Sequence, residues 1–203
     1  MINANHFFQS AGDIVPLNVW APEGVVEQLK ELHADKSKQA MYRNEGGTND
    51  HESSKAGGID LIDIPEDWGI PSHAGTTGSI MYNKGDYLFP HRDKWRYMNL
   101  DGTYKEGADG NGIRLICFAN HNSVTDFTFI YEGKVVYLEP RRWYAVNTQR
   151  VHWGFSFVDG VYHMGCELKF NDEDRAATTE FLLTNMEFGQ PIDDRKGVDC
   201  TRN

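Results

Sequence analysis

The sequence predicts a mainly β fold, a sandwich or small barrel with helices at its flanks. Three observations carry this. Short apolar and aromatic runs recur about every ten residues between positions 79 and 170, and turn signals such as Glu132-Gly133, Glu139-Pro140 and Asp159-Gly160 separate them. Helix-period patterns occur only outside that window, near 23–32 and 172–186. With 203 residues, 39% hydrophobic and 12% aromatic, the chain is large enough for one cored domain without disulfides.

The elements follow in order. Asp13–Trp20 is a mixed apolar stretch. After Pro22, the residues Val25, Val26, Leu29 and Leu32 recur at helical spacing, with Glu23 and Glu27 early, so a helix is predicted here. Residues 43–58 carry Gly46-Gly47, Ser53-Ser54 and Gly57-Gly58 with almost no apolar side chain, which reads as a long polar insert. Ile59–Ile64 alternates apolar and acidic residues, as a short strand does, and Pro65–Gly78 is turn-rich.

From position 79 the pattern is β. Ser79–Tyr82 and Tyr87–Phe89 flank a hairpin-like turn at Asn83-Lys84-Gly85-Asp86. Pro90–Asn99 is polar and aromatic rather than strand-like, and 99–112 is a Gly/Asp-rich loop. Six strands are then expected at Ile113–Phe118, Asp126–Tyr131, Lys134–Leu138, Trp143–Val146, His152–Val158 and Val161–Phe170. Asp172, Glu173 and Asp174 open a capped helix running to about 186, and 189–203 is polar and irregular. The chain thus reads as a single domain, with a lead-in at 1–78, a core at 79–170 and a closing helix and tail at 171–203.

Charge and cysteine content narrow the function classes. The formal charge of -10 argues against general nucleic-acid binding. The acidity belongs to the flanks, because residues 84–163 hold 10 basic and 9 acidic residues. No apolar run approaches the roughly 20 residues of a membrane span, and Met1–His6 shows no signal peptide. Cys117, Cys166 and Cys200 form neither a disulfide framework nor a CxxC zinc pattern, so a reduced cytoplasmic protein is expected. The oligomeric state is left open.

The chemistry concentrates in two segments. In Phe89-Pro90-His91-Arg92-Asp93, a His and an Asp stand two apart at the end of an extended run, where i and i+2 share a face. In Trp143-Tyr144-Ala145-Val146-Asn147-Thr148-Gln149-Arg150-Val151-His152, a strand leads through a short turn to a second His. Two imidazoles and one carboxylate with open coordination positions make the facial triad of non-haem Fe(II) oxygenases. Trp95, Trp143 and Trp153 read as packing residues, Arg96 as a solvated charge, and His121 as part of a turn.

The stretch from about 80 to 170 resembles the double-stranded β-helix core, jelly-roll and cupin-like, of the Fe(II)/2-oxoglutarate-dependent dioxygenases. Within them it is most similar to the aspartyl/asparaginyl β-hydroxylase-like group. The matching pieces are Tyr82-x-x-Gly85, Pro90-His91-x-Asp93, Arg114, Gly133 and Trp143-x-x-x-Asn147 ahead of His152. The resemblance implies that His91, Asp93 and His152 bind Fe(II) as the catalytic set. It also implies that 2-oxoglutarate and O2 are consumed while an unactivated C–H of a peptide side chain or small molecule is hydroxylated, with release of succinate and CO2. One departure concerns the cosubstrate. These enzymes hold its distal carboxylate with an Arg about ten residues beyond the second His, whereas here that offset gives Tyr162 and then His163, with no Arg or Lys between His152 and Lys169. Ser156 replaces the usual Asn four beyond the His. Arg114, sharing a strand face with Ile116 and Phe118, is the expected replacement, assisted by His163 and by the hydroxyl of Tyr82. Residues 43–58 and 99–112 are the expected lid elements. Two other readings stay open: a cupin-like metal-dependent isomerase or lyase without a keto acid, and a non-catalytic jelly-roll binding module.

Overall fold

A computed structural model describes residues 4–34, 57–61, 66–72, 74, 77–93, 112–121, 125–169 and 173–187. Along the chain these form α1 (Ala4–Ala11), β1 (Ile14–Trp20), α2 (Val25–Ala34), β2 (Gly57–Leu61), a 3-10 turn (Glu66–Trp68), β3 (Thr77–Tyr82), β4 (Tyr87–His91) and β5 (Gly112–Phe118). There follow β6 (Phe127–Tyr131), β7 (Lys134–Val136), β8 (Arg142–Val146), β9 (His152–Ser156), β10 (Val161–Lys169) and α3 (Arg175–Asn185). The strands pair antiparallel in two sheets, one ordered β1-β8-β5-β10-β3-β2 and the other β4-β9-β6-β7. From β3 to β10 the chain changes sheet at every connection except the β6–β7 hairpin. That winding is a double-stranded β-helix, the mainly β, cupin-like core expected from the sequence.

Strand alternation divides the apolar residues into two layers. One face of the larger sheet presents Ile113, Leu115, Cys117, Trp143, Ala145, Met164 and Leu168 to the helices. There they meet Val25 and Leu29 of α2, Phe7 and Phe8 of α1, Leu182 of α3, and Trp68, whose ring lies 6.3 Å from that of Trp143. The opposite face presents Ile116, Phe118, Tyr144, Val146 and Val161 to Phe127, Phe129 and Tyr131 of the smaller sheet. Covered on both sides, β10 is buried continuously from Val161 to Cys166, His163 included. Cys117 and Cys166 are buried free thiols in this structure.

Several expectations are corrected. The turn at Asn83–Asp86 is tight, with the Asp86 amide donating to the Asn83 carbonyl at 2.8 Å and Gly85 at φ 83°, but it is not a hairpin. It carries the chain from β3 in one sheet to β4 in the other. Pro90 and His91 belong to β4, and a proline is tolerated there because β4 is the edge of its sheet and its register is broken between Leu88 and His91. Gly57 and Gly58, placed in the polar insert by composition, pair with Met81 and Ile80 of β3, and Gly112 starts β5. His121, expected in a turn, follows a bend at 119–120 and is buried beside Phe118 and Tyr137, at ring distances of 5.0 and 5.9 Å. Helix α1, not expected from the sequence although Ala4, Phe7, Phe8 and Ala11 recur at helical spacing, is held by Phe7 and Phe8 in the core.

The rest of insert 43–58, the rest of loop 99–112, residues 94–99 with Trp95 and Arg96, Ile64, Phe170 and the tail 189–203 with Cys200 lie outside the described residues. Among the described residues no helix is long and apolar enough to cross a membrane.

Candidate metal centre

The triad is assembled by strand register. His91, the last residue of β4, pairs with His152, the first residue of β9. Their ring centroids are 4.4 Å apart. Asp93 follows His91 by two, and its Oδ1 lies 3.6 Å from His91 Nε2. One donor atom from each of the three side chains lies within 4.8 Å of the others, a spread that small side-chain rotations close onto one ion with bonds of about 2.0–2.2 Å. The side chains of His91 and Asp93 are 8% and 16% exposed, and His152 is 6% exposed, so the donors are sheltered yet lie at a sheet end. Two nitrogens and one carboxylate oxygen suit a divalent first-row metal and leave coordination positions open.

Hydrogen bonds prepare these ligands. His152 Nδ1 is 3.0 Å from the Arg150 carbonyl, which can only accept, so Nδ1 carries the proton and Nε2 presents its lone pair. The Asp93 amide donates to the Thr148 carbonyl at 2.9 Å, tying one ligand segment to the loop that precedes the other. That loop is anchored in turn by Tyr131, whose hydroxyl donates to the Asn147 carbonyl at 2.8 Å. Burial, with Asp13 and Glu132 nearby, pushes the Tyr131 phenol well above its ordinary range, so it stays a donor.

Between the sheets lies a second polar group. Strand alternation turns Arg114 to the same interior face as Ile116 and Phe118. Its guanidinium lies against β10 at Gly165, where a Cβ would stand 2.6 Å from Nη2, 2.9 Å from Cζ and 3.0 Å from Nε. Glu167 stands opposite Arg114 in register. Among the described residues Arg114 Nη1 is buried with no hydrogen-bond partner, and so is His163 Nδ1. The His163 ring packs 5.0 Å from Phe118. Burial first, then the charges of Arg114 and His152, pull its pKa down to about 3 against the opposing pull of Asp93, so the imidazole is neutral at neutral pH. Buried groups without partners in a packed interior are costly unless a ligand completes them.

Tyr162, at the offset where the enzymes that the sequence resembles carry Arg, faces the helices instead, with its ring 5.4 Å from His33. Tyr82 faces the interior from the other end of the sandwich. Its ring is 4.9 Å from Phe127, which pairs with Ser156, four residues beyond His152 and so about 13 Å along the strand. Tyr82 is therefore not brought beside the triad. Gly165 was missed by the sequence reading, although a glycine inside an otherwise apolar strand signals close approach of another group. The roles of Tyr131 and of the Arg150 carbonyl have no motif and become visible only in the structure.

No family model and no curated protein matches the chain. Similar solved structures include the viral collagen prolyl hydroxylase of Paramecium bursaria Chlorella virus-1 in its 2OG complex, at 8% identity over 76% of this chain and 94% of that one, with a TM-score of 0.49. A predicted oxalate decarboxylase from Thermotoga maritima matches at 8% identity over 60% and 89% of the two chains, TM-score 0.38. A cupin 2 domain-containing protein from Halorhodospira halophila matches at 14% identity over 72% and 89%, TM-score 0.36. At these identities and TM-scores no activity follows from the likenesses, and what the chain has in its own strand order is a mainly antiparallel, cupin-like β fold.

Proposed function

We propose that the protein is a non-haem Fe(II)- and 2-oxoglutarate-dependent oxygenase of the aspartyl/asparaginyl β-hydroxylase-like kind, hydroxylating a C–H bond of a peptide side chain or small molecule. The observation that supports this most is the pairing of a sheltered His91/Asp93/His152 donor set with Arg114, whose Nη1 is buried with no hydrogen-bond partner among the described residues. The two features match the two ends of a keto acid, one that chelates a metal and one that carries a carboxylate. When bound, iron(II) supplies the O2 chemistry that couples oxidative decarboxylation of the keto acid to oxidation of substrate. The balance is 2-oxoglutarate, O2 and R–H giving succinate, CO2 and R–OH.

The chain's own residues have distinct tasks. His91, Asp93 and His152 Nε2 hold the metal from one side. Arg114 receives the distal carboxylate through its fork of N–H donors. Neutral His163 adds one N–H beside it. Phe118, and Phe129 with its ring 6.3 Å from that of His152, keep the interior dry and strengthen these polar contacts. The cupin-like isomerase or lyase reading draws on β10, which carries Tyr162 and then His163 at the offset where an Arg would be the usual clamp.

Purified protein reconstituted anaerobically with Fe(II) is expected to bind 2-oxoglutarate and, on admission of O2, to form succinate. His91→Ala, Asp93→Ala and His152→Ala are each expected to abolish this. Turnover of a substrate without O2 would move the assignment to the isomerase or lyase. Failure of the wild type to bind 2-oxoglutarate with metal present would remove the cosubstrate.

A further inference from the structure

The segments that carry the proposed metal ligands are joined a second time, behind the triad. The Thr148 carbonyl accepts the Asp93 amide at 2.9 Å, and the Arg150 carbonyl faces His152 Nδ1 at 3.0 Å. Both carbonyls sit in one short turn that begins at Asn147, whose own carbonyl accepts the Arg150 amide at 3.1 Å and the Tyr131 hydroxyl at 2.8 Å. The Asn147 side chain spans the turn, with Nδ2 donating to Asp13 Oδ1 at 2.7 Å and Oδ1 accepting the Gln149 amide at 3.3 Å. The Asn147 amide also donates to the Asp13 carbonyl at 2.8 Å. At the far end, the Val151 amide donates to Glu132 Oε1 at 2.7 Å, and the Glu132 amide returns to the Val151 carbonyl at 2.9 Å.

We infer that Asn147 is a positioning residue for the metal centre. It fixes the turn whose carbonyls aim His152 and seat the Asp93 backbone. The inference rests on reading His91, Asp93 and His152 as a metal set. Asn147 lies outside the donor set and acts through the two carbonyls. An amide is required because it donates to the Asp13 carboxylate and accepts from the Gln149 N–H at once. Alanine does neither. Aspartate accepts from Gln149 but sets a second carboxylate against Asp13. Partners of this kind behind metal-bound histidines are worth roughly 10–100-fold in metal affinity.

The test uses the full chain and Co(II) alone, read by titration calorimetry and by the visible absorption of the bound ion. Asn147→Ala is expected to weaken Co(II) binding by roughly 10–100-fold and to alter the spectrum. Tyr131→Phe, which keeps the whole Asn147 side chain, is expected to show a smaller loss in the same direction. Asn147→Asp is expected to bind as poorly as the alanine variant, and the swap Asp13→Asn with Asn147→Asp to recover affinity by restoring one donor and one acceptor. A lowered melting temperature of the metal-free variants with Co(II) affinity and spectrum unchanged would overturn the inference and leave Asn147 a purely structural residue. If Asn147→Ala does not fold, Tyr131→Phe decides, and an unchanged affinity and spectrum there overturns it. Failure of the wild type to bind Co(II) overturns the metal reading itself, a different result from a wild type that binds and a variant that matches it.

Discussion

Replacing Gly165 with alanine isolates the proposed carboxylate clamp from everything around it. The new Cβ would stand 2.6 Å from Arg114 Nη2, whereas ordinary contact needs about 3.5 Å, so the guanidinium must shift by about 1 Å. The atoms displaced are the far end of a flexible side chain, so the fold can yield cheaply. A Gly→Ala change also removes unfolded-state freedom worth about 0.4–1 kcal/mol in the protein's favour. Stability is therefore expected to stay within about 1 kcal/mol, a melting shift of no more than about 4 °C in a chain of this size. Ligand binding is expected to respond far more. A hydrogen bond to a charged group contributes about 1.5–3 kcal/mol, and each 1.4 kcal/mol is tenfold in Kd, so losing one arm of a two-armed carboxylate contact weakens 2-oxoglutarate by about 10- to 100-fold. The assay is calorimetric titration of 2-oxoglutarate into Mn(II)-loaded protein, with Mn(II) affinity measured separately and expected to be unchanged. An unchanged Kd for 2-oxoglutarate would refute the reasoning, because a guanidinium moved by an ångström cannot hold the same carboxylate equally well.

Other predictions follow from the same interior. Gly154→Ala is expected to behave oppositely to Gly165→Ala: its Cβ would overlap the Phe127 ring, which is wedged between Tyr82 at 4.9 Å and Phe118 at 4.8 Å and cannot swing away. Overpacking there is expected to cost about 1–3 kcal/mol and to lower the melting temperature by roughly 3–10 °C, measured on metal-free protein. Burial, opposed by Asp126, draws the His121 pKa down to about 4, so below about pH 6.5 the unfolded chain takes up a proton that the folded chain refuses. Stability is full above pH 6.5 and is expected to fall as pH drops toward 4, by about 3 kcal/mol from this residue. Urea unfolding of His121→Gln at pH 7 and pH 5 checks this, and an undiminished pH dependence in the variant would count against it.

What the sequence revealed was governed by local physics. The strands from Ile113 to Lys169 were legible because alternation and turn residues are local signals. The turn at Asn83–Asp86 was legible as a turn but not as a crossing between sheets, since the backbone of four residues does not encode which partner the next strand will find. Pro90 argued against a strand, and only its position at a sheet edge removes the objection. The juxtaposition of His91, Asp93 and His152 was suggested by spacing, but it is the pairing of His91 with His152 across β4 and β9 that brings them together. Arg114 could be assigned to an interior face by counting from Ile116, whereas its seat on Gly165 depends on the pairing of β5 with β10. The buried state of His121 depends on Phe118 and Tyr137, which tertiary packing alone supplies.

The pairing of β1 also sets an order on how the chain is made. Ile14 pairs with Val146, and Leu17 bridges to Met186, so among the described residues β1 is synthesised well before its strand partners. Its Ile-Val-Pro-Leu run stays uncovered during that interval, an invitation to association with other nascent chains. Closing so long a loop late places this protein among slow folders, whose rate follows the distance in sequence between contacting residues rather than the strength of any single contact.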